Sequence, residues 1–178
     1  MKKTVLTFGI IAGVVISVLM TITTVFADRI GFDRAVIVGY TSMLIAFLLV
    51  FFGIKSYRDN IGGGEISFGR AFTVGILITL ITCLFYVVSW EIIYLNFLPD
   101  FGEKYGNYLL EKARASGASA EQITKQMEEV KQMKALLDNP LLAMPMIFIS
   151  EPLPVGLVMT LISAAILRKR RRKVEVPV

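Results

Sequence analysis

Two glutamates lie inside apolar stretches of the sequence and are its first candidates for chemistry. Glu91 lies 21 residues after Arg70, and Glu151 lies 17 residues before Arg168. In a helix these separations correspond to about 31 Å and about 25 Å, which predicts a similar depth for both carboxyl groups. If the two groups met, one would stay protonated and a proton or cation site would result. The other interpretation is that each glutamate lies separately at the membrane boundary. Both interpretations remain open.

Two prolines, Pro152 and Pro154, follow Glu151 directly. Proline has no backbone N–H, so carbonyl groups about one turn upstream lose their partners and the helix bends or starts again. Irregular backbone at membrane depth is tolerated only against protein or a water-filled cavity. We therefore predict a candidate polar site within the membrane, formed by Glu91, Glu151, Pro152 and Pro154. Whether residues 141–149 form a separate interfacial segment stays open.

The remaining composition excludes most catalytic chemistry. The 178 residues include no His and a single Cys, Cys83. Acid–base catalysis by His, metal sites made of His or several Cys, and an internal disulfide are therefore excluded. No nucleophile stands beside a base. We expect no enzyme, no catalytic residue, no metal and no cofactor.

The elements that must position these residues are membrane spans. The chain is 55% hydrophobic and 19% charged, with a mean hydropathy of +0.68, whereas a soluble domain is about 45–50% apolar and about 25% charged. Its apolar residues form four runs long enough to cross a bilayer as helices. The predicted fold is all-α, a single integral membrane domain over residues 1–178, with spans at about 4–27, 35–54, 71–94 and 147–167.

The first run also has features of a secretory signal peptide, because it follows Lys2 and Lys3. However, it is longer than the apolar part of such a signal, which typically has about 7–15 residues. Gly9, Gly13 and Ser17 form a ladder of small residues that allows close helix packing in lipid. A retained span is favoured, and cleavage would leave the topology unchanged.

Basic residues predict the orientation, because Lys and Arg accumulate beside cytoplasmic span ends. With the N-terminus inside, 11 of the 19 basic residues fall in inner segments and 8 in outer ones. The inner ones crowd the span ends, and the outer ones are diluted. We therefore predict a multi-pass protein of the bacterial inner membrane with both termini in the cytoplasm.

A basic run ends the fourth span and suggests two roles. It either anchors the topology or binds anionic lipid headgroups, to which each basic residue contributes about 1 kcal/mol near the surface. No aromatic residues are interleaved with it, so nucleic acid is not an expected partner. The candidate headgroup contacts are Arg168, Lys169, Arg170, Arg171, Arg172 and Lys173.

The segment between spans three and four predicts an extracytoplasmic helical hairpin at about 99–138. Gly117 ends the first helix, and Ser119 with Gln122 forms a capping box for the second. Each helix carries a thin apolar stripe, which must pack on its neighbour, on the membrane surface or on a partner. The stripes are Phe101, Tyr105, Tyr108 and Leu109, then Ile123, Met127, Val130 and Leu137.

Several stretches of the sequence resemble the family catalogued as domain of unknown function 4199. They run from Gly53 to Asp59, from Gly64 to Phe72, and from Glu151 to Ala165 before the basic tail. The resemblance covers nearly the whole chain and implies a small bacterial inner-membrane protein with four spans. It implies no activity and no catalytic residues.

Two functions compete at this point. The first is a non-catalytic, partner-binding or accessory membrane protein that contacts lipids and binds a protein partner or a second copy through the outer hairpin. The alternative is a small oligomeric transporter or channel that uses Glu91 and Glu151. The first requires hairpin faces left uncovered, and the second requires both glutamates turned towards a cavity.

The topology is directly testable. A reporter that is active only outside the cytoplasm, fused after Val178, should stay silent, because the basic residues hold that end inside. The same reporter inserted between residues 96 and 140 should be active. A strong signal from the fusion after Val178 would overturn the predicted orientation.

Overall fold

The computed structural model describes residues 1–98 and 100–169, apart from the side chain of Asp28. The predicted hairpin residue Pro99 and the basic residues Arg170, Arg171, Arg172 and Lys173 lie outside the described residues. Within the described part the chain is helical and contains no strand. The helices are α1 (Lys2–Val25), α2 (Ala27–Ile30), α3 (Phe32–Asn60), α4 (Phe68–Phe97), α5 (Phe101–Ala115), α6 (Ala120–Leu137), α7 (Pro140–Ser150) and α8 (Pro152–Leu167).

Four helical stretches are long and apolar enough to cross a membrane, namely α1, α3, α4 and the stretch formed by α7 and α8. Large apolar side chains on their outer faces stay exposed in the isolated chain. On α1 they recur every four residues, at Leu6, Ile10, Val14 and Val18. A helix face of this kind is suited to hydrocarbon rather than water. The chain is therefore a multi-pass, all-α membrane protein.

The fourth span begins earlier than the sequence predicted. We expected a start near residue 147, whereas the helical stretch already begins at Pro140. The side chain of Asn139 caps it by accepting a hydrogen bond from the backbone N–H of Leu141 at 3.2 Å. Proline is well suited to the first turn, where no N–H is needed. Residues 141–149 are therefore part of a helix that leads into the span.

The break expected at the two prolines is confirmed. Helix α7 ends at Ser150 and α8 begins at Pro152, with Glu151 between them at φ −114° and ψ −77°. Pro152 is fully buried, and Pro154 is exposed. Because neither proline can donate a backbone hydrogen bond, the helix cannot run unbroken through this point.

Helix α4 is the centre of the bundle and packs against α1, α3, α7 and α8. The α1 contact uses two of the small residues singled out above. A Cβ added at Gly9 would collide with Ile81, and one added at Gly13 would collide with Phe85. In lipid, close van der Waals packing holds helices together, and glycine permits it by letting two backbones approach.

The crossing of α4 and α8 combines glycines with a buried hydrogen bond. Gly75 approaches Thr160, and Gly156 approaches Thr79 and Phe47, so closely that an added Cβ would collide. The hydroxyls of Thr79 and Thr160 are 2.9 Å apart, and Thr79 donates to the carbonyl of Gly156 at 3.4 Å. Both threonines are fully buried. These bonds satisfy hydroxyl groups that hydrocarbon would leave unpaired.

At the other end of the bundle, the loop between α3 and α4 is joined to the end of α8. Ile66 and Lys169 exchange two backbone hydrogen bonds, at 3.1 and 2.9 Å. Ser67 then caps α4 by accepting from the backbone N–H of Arg70 at 3.3 Å. Both ends of the described chain therefore lie at the end of the bundle opposite to α5 and α6.

Replacing Gly156 with Ala should lower thermal stability, because the new methyl group collides with two side chains and overpacking costs about 1–3 kcal/mol. Gly69→Ala is the matched control, since a Cβ there meets nothing within 4 Å. Thermal unfolding of both variants in one detergent checks this. Equal melting temperatures would contradict the close crossing of α4 and α8.

Candidate functional site

The segment between α4 and α7 forms two helices, α5 and α6, joined by a short turn. Gly117 takes the left-handed conformation, at φ +80°, where α5 ends. Ser119 and Gln122 then form a capping box: the Gln122 N–H donates to the Ser119 hydroxyl at 3.3 Å, and the Ser119 N–H donates to the Gln122 side chain at 2.8 Å. The helices come together at Gly106, where an added Cβ would collide with Val130. We call these two helices the α5–α6 pair.

Aromatic rings hold the α5–α6 pair against the bundle. Phe101 meets Trp90 of α4 edge-on, with ring centroids 5.3 Å apart. Phe32, at the start of α3, contacts Tyr105 and Tyr108 at 5.5 and 5.1 Å. Aromatic pairs at such distances contribute about 0.5–1.5 kcal/mol beyond their burial. The apolar stripe of α5 therefore packs against other helices of the same chain.

Hydrogen bonds fasten the same pair at two points. Tyr94 of α4 donates to Asp138 at 2.7 Å, and Lys134 donates to its other oxygen at 2.8 Å. The hydrogen bond from Lys134, together with that from Tyr94, holds the pKa of Asp138 below its usual range. At the second point, Tyr108 and Lys112 both donate to Asp33 at 2.6 Å. The α5–α6 pair is thus fixed over the end of the bundle.

A cavity of about 300 Å³ lies beneath the α5–α6 pair, between α1, α3, α4 and α7. Its wall is mostly apolar. Val36 and Tyr40 of α3 and Met146 of α7 line it and are also exposed at the surface of the chain. Because these exposed lining residues lie on α3 and α7, which do not pack closely on each other, we place the opening of the cavity between these two helices. It also contains six aromatic side chains, Phe32, Tyr40, Tyr86, Trp90, Phe101 and Tyr105.

Glu151 lies on the wall of this cavity, at the break between α7 and α8, and is half-buried. The hydroxyl of Tyr86 donates to its Oε2 at 2.6 Å. Tyr86 was not among the residues predicted from the sequence. Its hydroxyl within an apolar span could have pointed to it, because such a hydroxyl needs a hydrogen-bond partner when it is buried.

Glu91 lies elsewhere and does not form a hydrogen bond with Glu151. Glu91 is buried, at 8% exposure, and neither of its carboxyl oxygens has a hydrogen-bond partner among the described residues. It follows Tyr86 by five residues, which places it about 7.5 Å further along α4 and about 140° around the helix. Glu91 also does not line the cavity. No hydrogen bond therefore joins the two carboxyl groups, and only that of Glu151 lines the cavity.

Trp90 lines the cavity with its ring. Its indole Nε1 is buried away from solvent and has no hydrogen-bond partner among the described residues. An unpaired buried donor costs about 1–3 kcal/mol. Among the described residues, no group of three or more His, Cys, Asp or Glu is arranged to hold a metal ion.

The basic residues at the end of α8 lie far from the cavity. Arg168 and Lys169 are exposed at the opposite end of the bundle, where Lys169 pairs with Ile66 through its backbone. Their side chains are free of the backbone pairing and face outward from the chain. Contact with lipid headgroups stays a prediction for these two residues.

A model of the family described as protein of unknown function (DUF4199) matches residues 7–169, which include the bundle, the α5–α6 pair and the cavity. The chain belongs to the DUF4199 family. No curated protein and no solved structure matches it. Membership in DUF4199 confirms the resemblance noted in the sequence. It brings no activity with it, so the cavity is the basis for an inference of function.

The bond between Tyr86 and Glu151 predicts a coupling between two variants of this DUF4199 protein. Glu151→Leu should destabilise the fold by about 1–2 kcal/mol, because the Tyr86 hydroxyl loses its acceptor inside the membrane. Glu151→Gln should be mild, since an amide oxygen still accepts the bond. In a Tyr86→Phe background, Glu151→Leu should cost less, which a double-mutant cycle of thermal unfolding measures. Additive losses would contradict this bond.

Proposed function

We propose that this DUF4199 protein is a non-catalytic, multi-pass membrane protein that binds a small amphiphilic molecule beneath the α5–α6 pair. The observation that carries the proposal is the cavity of about 300 Å³, which is apolar except for a few polar groups. Ligand sites in proteins have this composition, and their volumes begin at about 300 Å³. The Glu151 carboxyl is the polar group that would orient the ligand.

The proposed setting is the bacterial inner membrane, with both termini in the cytoplasm and the α5–α6 pair outside. Support comes from the basic residues, which crowd the span ends on the side of the termini. In this orientation the cavity lies in the outer half of the bilayer. Its opening between α3 and α7 then faces the lipid, so an amphiphile would reach it from the membrane rather than from water.

We also propose that a protein partner or a second copy of the chain binds to the outer surface of the α5–α6 pair. The inner apolar faces of α5 and α6 pack on each other and on the bundle, which leaves the outer surface for a partner. On α6 that surface includes two large apolar side chains, Met127 and Leu136, at 51% and 37% exposure. A partner that binds there would sit directly above the cavity and sense whether it is filled.

Transport is the second candidate, and the position of Glu151 favours it. A titratable group on a cavity wall within the membrane is a common component of proton-coupled and cation-coupled transporters. Because Glu91 does not line the cavity, this candidate function depends on Glu151. Uptake into proteoliposomes that depends on a proton gradient, and that Glu151→Gln abolishes, would favour transport over binding alone.

Filling the cavity should abolish ligand binding. Gly39 lines the cavity, and a Cβ added there meets nothing within 4 Å, so Gly39→Leu should occupy the space without strain. The measurement is the melting temperature of purified protein against a panel of amphiphiles with cationic, neutral and anionic heads. At about 100 times its dissociation constant, a ligand should stabilise the wild type by about 2.7 kcal/mol and Gly39→Leu by much less.

Gly69→Leu is the control, because Gly69 also has open space for a side chain but lies outside the cavity. It should respond to the panel as the wild type does. The proposal is overturned if no member of the panel stabilises the wild type. It is also overturned if Gly39→Leu and Gly69→Leu are stabilised equally.

A further inference from the structure

We propose that the cavity selects a ligand with a substituted ammonium group on an apolar body, an inference that rests on the proposed function of the cavity. Two features of its wall point to this class. They are the single carboxyl group of Glu151 and the surrounding aromatic side chains.

The cavity wall carries one acidic side chain and no basic one among the described residues. Glu151 is the one acidic residue among the described residues that line the cavity, and no Lys or Arg is among them. Tyr86 satisfies one of its oxygens with a neutral hydroxyl. A carboxylate in apolar surroundings is costly unless a cation compensates it. A cationic ligand supplies that compensation, whereas a fatty acid or another anion would be repelled.

The aromatic side chains of the cavity wall also favour a cationic ligand. A substituted ammonium ion is attracted to the face of an aromatic ring, and the attraction reaches about 2 kcal/mol or more where water is excluded. Quaternary ammonium groups are commonly bound in cages of several aromatic rings. Here six aromatic side chains and Glu151 line one cavity of about 300 Å³. An uncharged ligand of equal size would gain the apolar contacts but neither of these attractions.

The rest of the cavity wall sets the character of the ligand's body. Because that wall is mostly apolar, the part of the ligand beside the ammonium group should be apolar as well. The opening between α3 and α7 leaves room for an apolar chain to extend into the surrounding lipid. Both a free amphiphilic amine and the headgroup of an aminophospholipid have this chemistry.

The single tryptophan of the chain makes the inference directly measurable. Because Trp90 lines the cavity, a change in intrinsic fluorescence reports a ligand at this site. The probes are benzyltrimethylammonium and neopentylbenzene, its uncharged carbon isostere, added to the protein in maltoside micelles. The wild type should bind the cation about tenfold more tightly than the isostere, as expected for a desolvated cation–π site with a carboxylate.

Two variants separate the charge of the cavity from charge elsewhere in the bundle. With Glu151→Gln the preference for the cation should fall well below tenfold, because only the attraction to the aromatic rings remains, while the retained acceptor for Tyr86 preserves the fold. Glu91→Gln is the matched control, because it removes a carboxyl group that does not line the cavity. It should keep the tenfold preference. The inference is overturned if the wild type binds both probes equally, or if Glu91→Gln lowers the preference as much as Glu151→Gln.

The source of the ammonium group is resolved by adding phosphatidylethanolamine to the micelles. If the lipid competes with the cationic probe, the occupant is a lipid headgroup. If the lipid does not compete, the occupant is a free amphiphilic amine. Both results support an ammonium site. Binding of neutral members of the amphiphile panel without any preference for the cation would leave the proposed function standing and overturn this inference alone.

Discussion

Hydrocarbon chains are as apolar as leucine, so helices inside a bilayer gain little by hiding apolar side chains from one another. They must associate through close backbone approach and a few buried hydrogen bonds. In this protein both occur along α4, where Gly13 of α1 and Gly156 of α8 meet its side chains closely. The bond between Thr79 and Thr160 lies at the second crossing. Every span depends on this central helix for its position.

The cavity exists because the fourth span does not follow this close packing throughout. Its second part, α8, lies tightly against α4 and α3, whereas α7 packs on α4, α6 and α8. Pro152 and Pro154 uncouple the directions of the two parts, since no continuous hydrogen-bond ladder connects them. The resulting gap beside α3 is covered by the aromatic face of α5. Polar groups gather at this gap because the break itself places Glu151 there.

The sequence predicted the features that depend on neighbours along the chain. Span lengths follow from hydropathy, the capping box from Ser119 and Gln122, and the break from the prolines. The start of α7 was missed, although Asn139 before a proline is a recognisable helix start. The pairing of Tyr86 with Glu151 joins residues 65 apart, and the position of Glu91 depends on rotation around α4. Such features follow from tertiary packing, which periodicity in one sequence does not encode.

The hydrogen bond at the centre of α4 also bears on biosynthesis. Thr79 finds its partners, Gly156 and Thr160, 77 and 81 residues further along the chain. During synthesis α1, α3 and α4 emerge long before α8, so the Thr79 hydroxyl enters the membrane without its final partner. The early helices can associate through Gly9 and Gly13, but the bundle closes only when the last helix is inserted. Truncated chains that lack α8 would therefore keep α4 in the membrane without the interhelical bonds of Thr79 and without the helix that covers Gly75.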